Sequence, residues 1–370
     1  MLRTRWRTAV LAISVASALA VGSMGVAGAS GSHSRAHAAN SYRVRNLVSD
    51  QAGVAAHVDP NLVNAWGLVA GPTTPWWVAD NGTNVSTLYD GHGSAVPLVV
   101  SVDGAPTGTV FNGGSDFVVH HAGASGPALF LFSTESGTIR GWNPSVPPPS
   151  PSTESFLVAD RSSEGAIYKG LAIGSTASGD RLYATDFHNG RVDVFNGNFH
   201  LVDSPDAFVD PMIPDGYAPF GIRNLDGKLF VTYAKQDADA KDDAAGPGHG
   251  FVDMFSLKGK LLARVASRGP LDSPWGLALA PRRFGAFGGD LLVGNFGDGT
   301  INAYQLKANG TAAHDGTLQR ANGDAIVIDG LWALSFGNGE AAGAKGRLFF
   351  TAGPDDESHG LFGRITANRK

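Results

Sequence analysis

The feature that most constrains this chain is that it repeats itself. An apolar run ending in a small or polar residue is followed nine positions later by an aromatic: Asp80 and Tyr89, Ser133 and Trp142, Asp186 and Phe195, Asn295 and Tyr304. In the last three a glycine stands four residues past the polar position (Gly137, Gly190, Gly299), which reads as a hairpin with a tight glycine turn. Upstream of each hairpin lies a second apolar run, usually opened by an aromatic and a glycine, as in Trp66-Gly67-Leu68-Val69, Phe220-Gly221-Ile222 and Trp275-Gly276-Leu277. Asp116-Phe117-Val118-Val119 occupies that slot in the second unit. Equating positions 67, 116, 170, 221, 276 and 330 gives steps of 49 to 55 residues.

A period near fifty with several short strands per unit and no helical periodicity predicts a β-propeller, in which blades of about four antiparallel strands surround a central channel. The expected fold is therefore all-β, with six four-stranded blades. A five-bladed ring with a divergent cap is the alternative, because the second unit fits worst. The 50 glycines and the many β-branched residues exclude helical solenoids. Residues 42–47 alternate in polarity and have no unit of their own. They are assigned as the outer strand of the last blade, beside residues 361–365, so that the two ends of the chain close the ring.

Arg3, Arg5 and Arg7 precede an apolar, small-residue stretch at positions 9–29, with cleavage candidates at Ala27-Gly28-Ala29 and Ala36-His37-Ala38. This pattern predicts a secretory signal over residues 1–38 and a single secreted, extracellular propeller domain over 39–370. An uncleaved membrane anchor is the competing reading. No later segment is long and apolar enough to hold the domain in a membrane. With 28 Lys and Arg against 33 Asp and Glu and no long basic run, a nucleic-acid partner is not expected. The absence of cysteine excludes disulfides, thiolate metal sites and cysteine nucleophiles.

Propeller geometry brings the loops entering the inner strands and leaving the second strands to one face. The candidate ligand-binding residues at that mouth are Asn64, Trp66, Asn81, Glu135, Lys169, His188, Tyr217, Tyr233, Lys235, Trp275 and Trp332. Asp80, Asp186 and Asn295 are the oxygens that could surround a hard cation, with Ca²⁺ the cofactor such a set would take. The competing structural role is plain at each position: an Asp or Asn before a turn caps it, and a Trp beside an inner strand wedges blades apart. Catalytic residues are not assigned. Ser133 near Glu135 lacks a nucleophile elbow, residues 237–243 lack EF-hand spacing, and Gly297-Asp298-Gly299 is a hairpin turn. Two insertions break the pattern: a Pro/Ser run at 144–155 and a long acidic loop at 234–250, which springs from the mouth face.

Taken together, Asp59-Pro60-Asn61-Leu62-Val63-Asn64-Ala65-Trp66-Gly67-Leu68, Pro274-Trp275-Gly276-Leu277-Ala278-Leu279, Gly294-Asn295-Phe296-Gly297-Asp298-Gly299 and His359-Gly360-Leu361-Phe362-Gly363 are distinctive. With them the chain, over about residues 42–365, resembles a family of exported bacterial proteins of uncharacterised function related to NHL-repeat six-bladed propellers. The resemblance implies the fold and export and supplies no reaction. Gluconolactonase-like and strictosidine-synthase-like propellers, many with a cation in the channel, are more distant kin by architecture. This chain lacks their Glu at the start of the first inner strand, where residues 64–67 stand. The expected function is a binding module that takes a small molecule, glycan or protein at its mouth; the alternative is a cation-dependent hydrolase or lyase.

Overall fold

The computed structural model describes residues 39–368. The expected signal, residues 1–38, lies outside the described residues. From axis outwards, blade 1 is Ala65–Val69, Trp76–Asp80, Val85–Tyr89 and Val100–Ser101. Blade 2 is Pro106–Phe111, Phe130–Thr134, Thr138–Trp142 and Phe156–Asp160, and blade 3 is Tyr168–Thr176, Gly179–Asp186 and Arg191–Asn196. Blade 4 is Tyr217–Leu225, Lys228–Lys235, Gly250–Ser256 and Leu261–Ser267; blade 5 is Pro274–Leu279, Leu291–Asn295, Ile301–Leu306 and Ala312–Thr317. Blade 6 combines Leu331–Phe336, Leu348–Ala352 and Leu361–Ala367 with the N-terminal strand Tyr42–Ser49, edged by His57–Val58.

The ring is thus a six-bladed propeller closed as expected, with Tyr42 opposite Ala367 and Ser49 opposite Leu361. In the four hairpins that carried the repeat, the trailing aromatic faces an apolar residue of the second strand: Tyr89 opposite Trp76, Trp142 opposite Phe130, Phe195 opposite Leu182 and Tyr304 opposite Leu291. These rings fill the space between blades. Trp77 stacks on Phe130 of blade 2 with ring centroids 4.0 Å apart and reaches Trp142 at 4.6 Å. Such pairs add about 0.5–1.5 kcal/mol each beyond the area they bury.

Three expectations are corrected. The inner strand of blade 2 is Pro106–Phe111, and the Asp116–Val119 run instead enters a separate hairpin, Val118–His121 with Ala124–Pro127, inserted before the second strand. Thr107-Gly108-Thr109 can line a crowded axis because it is small, which the bulkier Phe117-Val118-Val119 cannot. In blade 6 the position equivalent to Gly276 is Ala333, three residues beyond Gly330, as the pairing of Leu334 with Phe350 shows. Blade 3 has three strands where four were expected. The segment that follows holds Pro205, Pro211 and Pro214, which cannot donate to a ladder. It sends Phe208 between Tyr183 and Phe255 of blades 3 and 4 instead.

At one level of the axis all six blades break register in the same way. The pairing of inner with second strand slips between Ala65 and Leu68, Phe132 and Thr134, Tyr168 and Gly170, Pro219 and Ile222, Pro274 and Gly276, and Leu331 and Leu334. Such a bulge re-aims the side chain it displaces. The bulge residues are Trp66, Thr107, Lys169, Phe220, Trp275 and Trp332, each followed by glycine except in blade 6, where Ala333 follows. A Cβ at Gly221 would strike the Trp275 carbonyl, and one at Gly276 the Trp332 carbonyl. Inner strands therefore meet backbone to backbone. Hydroxyls latch the same level: Thr107 donates to the Tyr168 carbonyl at 2.7 Å, Thr185 to that of Phe220 at 2.6 Å, and Thr351 to that of Trp66 at 2.5 Å.

Gly221→Val is expected to lower stability by about 1–3 kcal/mol, the cost of overpacking a close contact. Gly346→Ala, where an added Cβ meets open space, is expected to change it by less than about 0.5 kcal/mol. Denaturant midpoints at constant m-value measure both, and equal effects would mean that the inner strands do not depend on this approach.

Candidate functional site

Five of the six bulges bring an aromatic or lysine side chain to the mouth, Thr107 being latched to the next blade instead, and the end of each second strand adds another ring: Asn81, Glu135, Phe187, Ala234, Phe296 and Gly353. The aromatic members collapse together. Trp66 stacks on Trp332 at 3.6 Å between centroids, Phe296 stacks on the same Trp332 ring at 4.0 Å, and Trp275 meets both tryptophans edge-on. Phe220 and Phe187 complete the cluster from blades 4 and 3. The result is a floor across the axis.

Over that floor lies a polar network built from five blades. The Lys169 ammonium, 1% exposed, sits 5.0 Å above the Trp66 ring and contacts Glu135 Oε1 at 2.5 Å and Asp242 Oδ1 at 2.8 Å. Asn81 donates to Glu135 Oε2 at 3.0 Å, and Asn64 donates to Asn81 Oδ1 at 3.1 Å and to Glu357 Oε2 at 2.5 Å. Trp332 Nε1 donates to Asn64 Oδ1 at 3.0 Å, and Trp275 Nε1 to the Lys169 carbonyl at 3.0 Å, tying floor to network. The acidic loop lies across the mouth. Gln236 anchors it by donating to the Phe187 carbonyl at 2.6 Å, and Gly246 N–H donates to Asp272 at 2.7 Å.

Burial alone would lower the pKa of the Lys169 ammonium, but Glu135 and Asp242 outweigh it and raise the pKa above the ordinary lysine value. Asp242 is held below the usual carboxylate range because Lys169 overcomes its desolvation. Glu357 is pushed up by burial, with Glu135 and Asp242 adding repulsion that Asn64 and Lys169 partly offset. Burial pushes Asp243 up to about 6, and its Oδ2 has no partner among the described residues. The site carries more carboxylates than cations.

Of the expected residues, the structure brings together Asn64, Trp66, Asn81, Glu135, Lys169, Trp275 and Trp332. His188 lies exposed in its turn, and Lys235 is exposed at the end of its strand. Tyr233 is buried between blades 3 and 4, and Tyr217 packs edge-on against Phe251 on the outer side of the loop. Asp242, Glu357 and Phe296 belong to the site and were not assigned to it from sequence. Phe296 follows Asn295 as Asn81 follows Asp80, so the repeat itself points to it, whereas Glu357 sits in an irregular turn without a repeat signature.

Asp80, Asp186 and Asn295 end the second strands of three different blades, and Asp80 Oδ1 and Asn295 Oδ1 have no partner among the described residues. Asp80 Oδ2 accepts from the Thr87 amide at 2.9 Å and hydroxyl at 2.8 Å. Asp186 accepts from Ile167 and Asn189 in its own blade, and Asn295 donates to Asp298 and to the Pro270 carbonyl. Each holds its own blade's turn. Among the described residues no group of three or more His, Asp or Glu side chains is placed to hold a metal ion.

No family model matches the chain. An uncharacterized protein of Acanthamoeba polyphaga mimivirus is 33% identical over 340 residues, covering 89% of this chain and 81% of its own length. A second uncharacterized protein of the same virus is 33% identical over 342 residues, covering 89% and 86%. The chain belongs to their family. These relatives are viral, where the sequence resemblance pointed to bacterial proteins. Among solved structures, a glucose dehydrogenase aligns over 89% of this chain and all of its own at 12% identity, with a TM-score of 0.51. Virginiamycin B lyase from Staphylococcus aureus aligns over 88% and 99% at 11% identity, with a TM-score of 0.49. At such identities the likeness is one of fold.

Because the folded pKa of Asp243 lies near 6 against 3.8 in the unfolded chain, the folded state binds this proton more tightly. Its ionisation therefore costs stability progressively as pH rises from about 4 to 6. Asp243→Asn is expected to raise the melting temperature at pH 7.5 and to lose that advantage near pH 4. Calorimetric scans across this range check it, and a pH-independent difference would reject the assignment.

Proposed function

We propose that the protein is a binding module whose axial mouth receives a cationic group, the protonated amine of a small molecule, amino-glycan or protein side chain. The observation that carries this reading is the charge balance of the network. Glu135, Asp242, Asp243 and Glu357 converge on the ammonium of Lys169, with exposed Lys241 adding a second ammonium at Asp242, and Glu135, Asp242 and Glu357 retain contact with solvent. Lys169 already occupies the place on the aromatic floor where a cation is best stabilised by the indole face. An incoming cation would complete the pairing of the outer carboxylates, above all Glu357, whose charge is disfavoured in its absence. Half-buried Trp275 offers an adjoining aromatic edge.

The Ca²⁺-dependent hydrolase or lyase reading receives no comparable support: Asp80, Asp186 and Asn295 end the second strands of three separate blades, and among the described residues no group of three or more His, Asp or Glu side chains is placed to hold a metal ion. The protein is further proposed to act outside the cell, on the strength of the arginine-led apolar segment at positions 3–29. Recovery from its own host of a chain that retains residues 1–38 would overturn that.

Spermidine is the probe for the mouth. Calorimetric titration is expected to show binding that weakens with salt, as exposed charge pairs do. Glu357→Gln is expected to weaken it by about two- to fivefold, the scale of one partly exposed charge contact. Failure of spermidine to bind, or equal binding by the variant, would remove the cationic class.

A further inference from the structure

Beneath the aromatic floor the axis opens into a cavity of about 440 Å³, lined by the inner strands of all six blades. Its walls include Leu68, Leu171, Ile222 and Leu277, and it reaches partly exposed Phe111 and Ile173 where those strands run out. Its lining contains one charged residue, Arg223, and no carboxylate. The five positions equivalent to Arg223, two residues past each bulge glycine or Ala333, are Val69, Val110, Ala172, Ala278 and Ser335. One blade has therefore placed a cation in a channel that the other five keep apolar or small.

The guanidinium crosses from blade 4 to blades 5 and 6. Nη1 donates to the Leu277 carbonyl at 3.2 Å and to the Leu334 carbonyl, and Nη2 donates to Ser335 Oγ at 2.8 Å. These partners are neutral, so they position the group without cancelling its charge. A guanidinium has five N–H donors in a fixed fork. The Nε–H and the second Nη2–H, which lie on one edge of that fork, have no protein acceptor among the described residues. Desolvation lowers the pKa to about 10, which leaves the group charged at neutral pH. Arg223 is half-buried on the cavity wall, and a desolvated cation without a counter-charge is costly and is normally paired. Its free edge has the geometry that receives two carboxylate oxygens side by side.

We infer that the axial cavity binds a small amphipathic carboxylate, its two oxygens paired with the free edge of Arg223 and its apolar body lying along Leu68, Leu171, Ile222 and Phe111. The cavity volume falls within the range of about 300–1,000 Å³ typical of small-molecule sites. This site lies on the opposite side of the aromatic floor from the proposed cation mouth, and of the mouth residues only Trp275 also lines it.

Octanoate and octanol test it by calorimetric titration of the full chain. Octanoate is expected to bind and octanol to bind at least tenfold more weakly. Arg223→Met, which replaces the cation with an apolar side chain of comparable reach, is expected to weaken octanoate at least tenfold. Spermidine should not compete, which separates failure here from failure at the mouth. The inference is overturned if octanoate does not bind, if octanol matches it, or if folded Arg223→Met binds octanoate as the wild type does. Should the variant fail to fold, the octanoate-to-octanol ratio in the wild type decides. Inorganic phosphate binding without octanoate binding would reject the apolar half of the site.

Discussion

Everything in this molecule depends on how closely six inner strands can approach one axis. Where the strands meet, the backbone of one blade lies against a carbonyl of the next, and Gly67, Gly108, Gly170, Gly221 and Gly276 leave no side chain in the way. The bulge that accompanies each glycine is the second half of the same device. It breaks the ladder for one residue and, except at Thr107, turns that residue's side chain towards the mouth. The packing solution for the ring and the assembly of the site are thus a single event. A chain that solved closure with regular strands would have no axial cluster.

The bulge ring also explains why a buried lysine is tolerated. Four of the six displaced residues are aromatic and close the axis, so water is largely excluded from the Lys169 ammonium on the floor side. An ammonium placed there must be compensated from above. Glu135 comes from the blade 2 turn and Asp242 from the loop of blade 4. The loop's position over the mouth therefore follows from the charge it completes, and its anchor through Gln236 to the Phe187 carbonyl fixes it to the same ring of turns. Removing the lysine would leave the carboxylates repelling one another, while removing a carboxylate would strand a buried cation. The network stands as a unit.

The sequence was most legible where physics leaves little choice. Hairpins announced themselves through a glycine turn and an aromatic at fixed distance, and the alternating Tyr42–Ser49 strand had nowhere to pair except beside the C-terminal strand. It was least legible where the repeat is kept by geometry and not by residue type. Pro106–Phe111 carries little apolar signal because Thr107, Gly108 and Thr109 serve the axis by being small, so the more hydrophobic Phe117-Val118-Val119 drew the assignment. Ala333 in place of glycine shifted the last unit by three residues. At the site, residues on repeated positions such as Trp66, Lys169, Trp275 and Trp332 could be placed together. Glu357 and Asp242 could not, since irregular loops hold them and their partners across the axis, Asn64 and Lys169, lie 293 and 73 residues away in sequence. Tyr217 and Tyr233 share an element with true mouth residues, but Tyr233 points into the interface between blades 3 and 4 and Tyr217 packs against Phe251 and His249.

The aromatic floor divides the axis into two compartments of opposite sign. Above it carboxylates outnumber the ammoniums of Lys169 and Lys241, and below it one guanidinium faces an apolar cavity without a carboxylate. The division is a consequence of crowding at one level only. Trp66, Trp332 and Phe296 stack where the bulges converge, and three residues beyond the bulge residue five of the six strands carry only Val, Ala or Ser, so the channel widens. Stacked indoles form a wall of low polarisability to charge compared with water, and opposite charges on its two faces attract through it more strongly than they would through solvent. Lys169 lies nearest that wall on the acidic side, and like charge across the floor would penalise Arg223, which instead projects towards blades 5 and 6, where neutral carbonyls receive it. Each compartment is left with a charge that the protein itself does not balance, and the two imbalances have opposite sign.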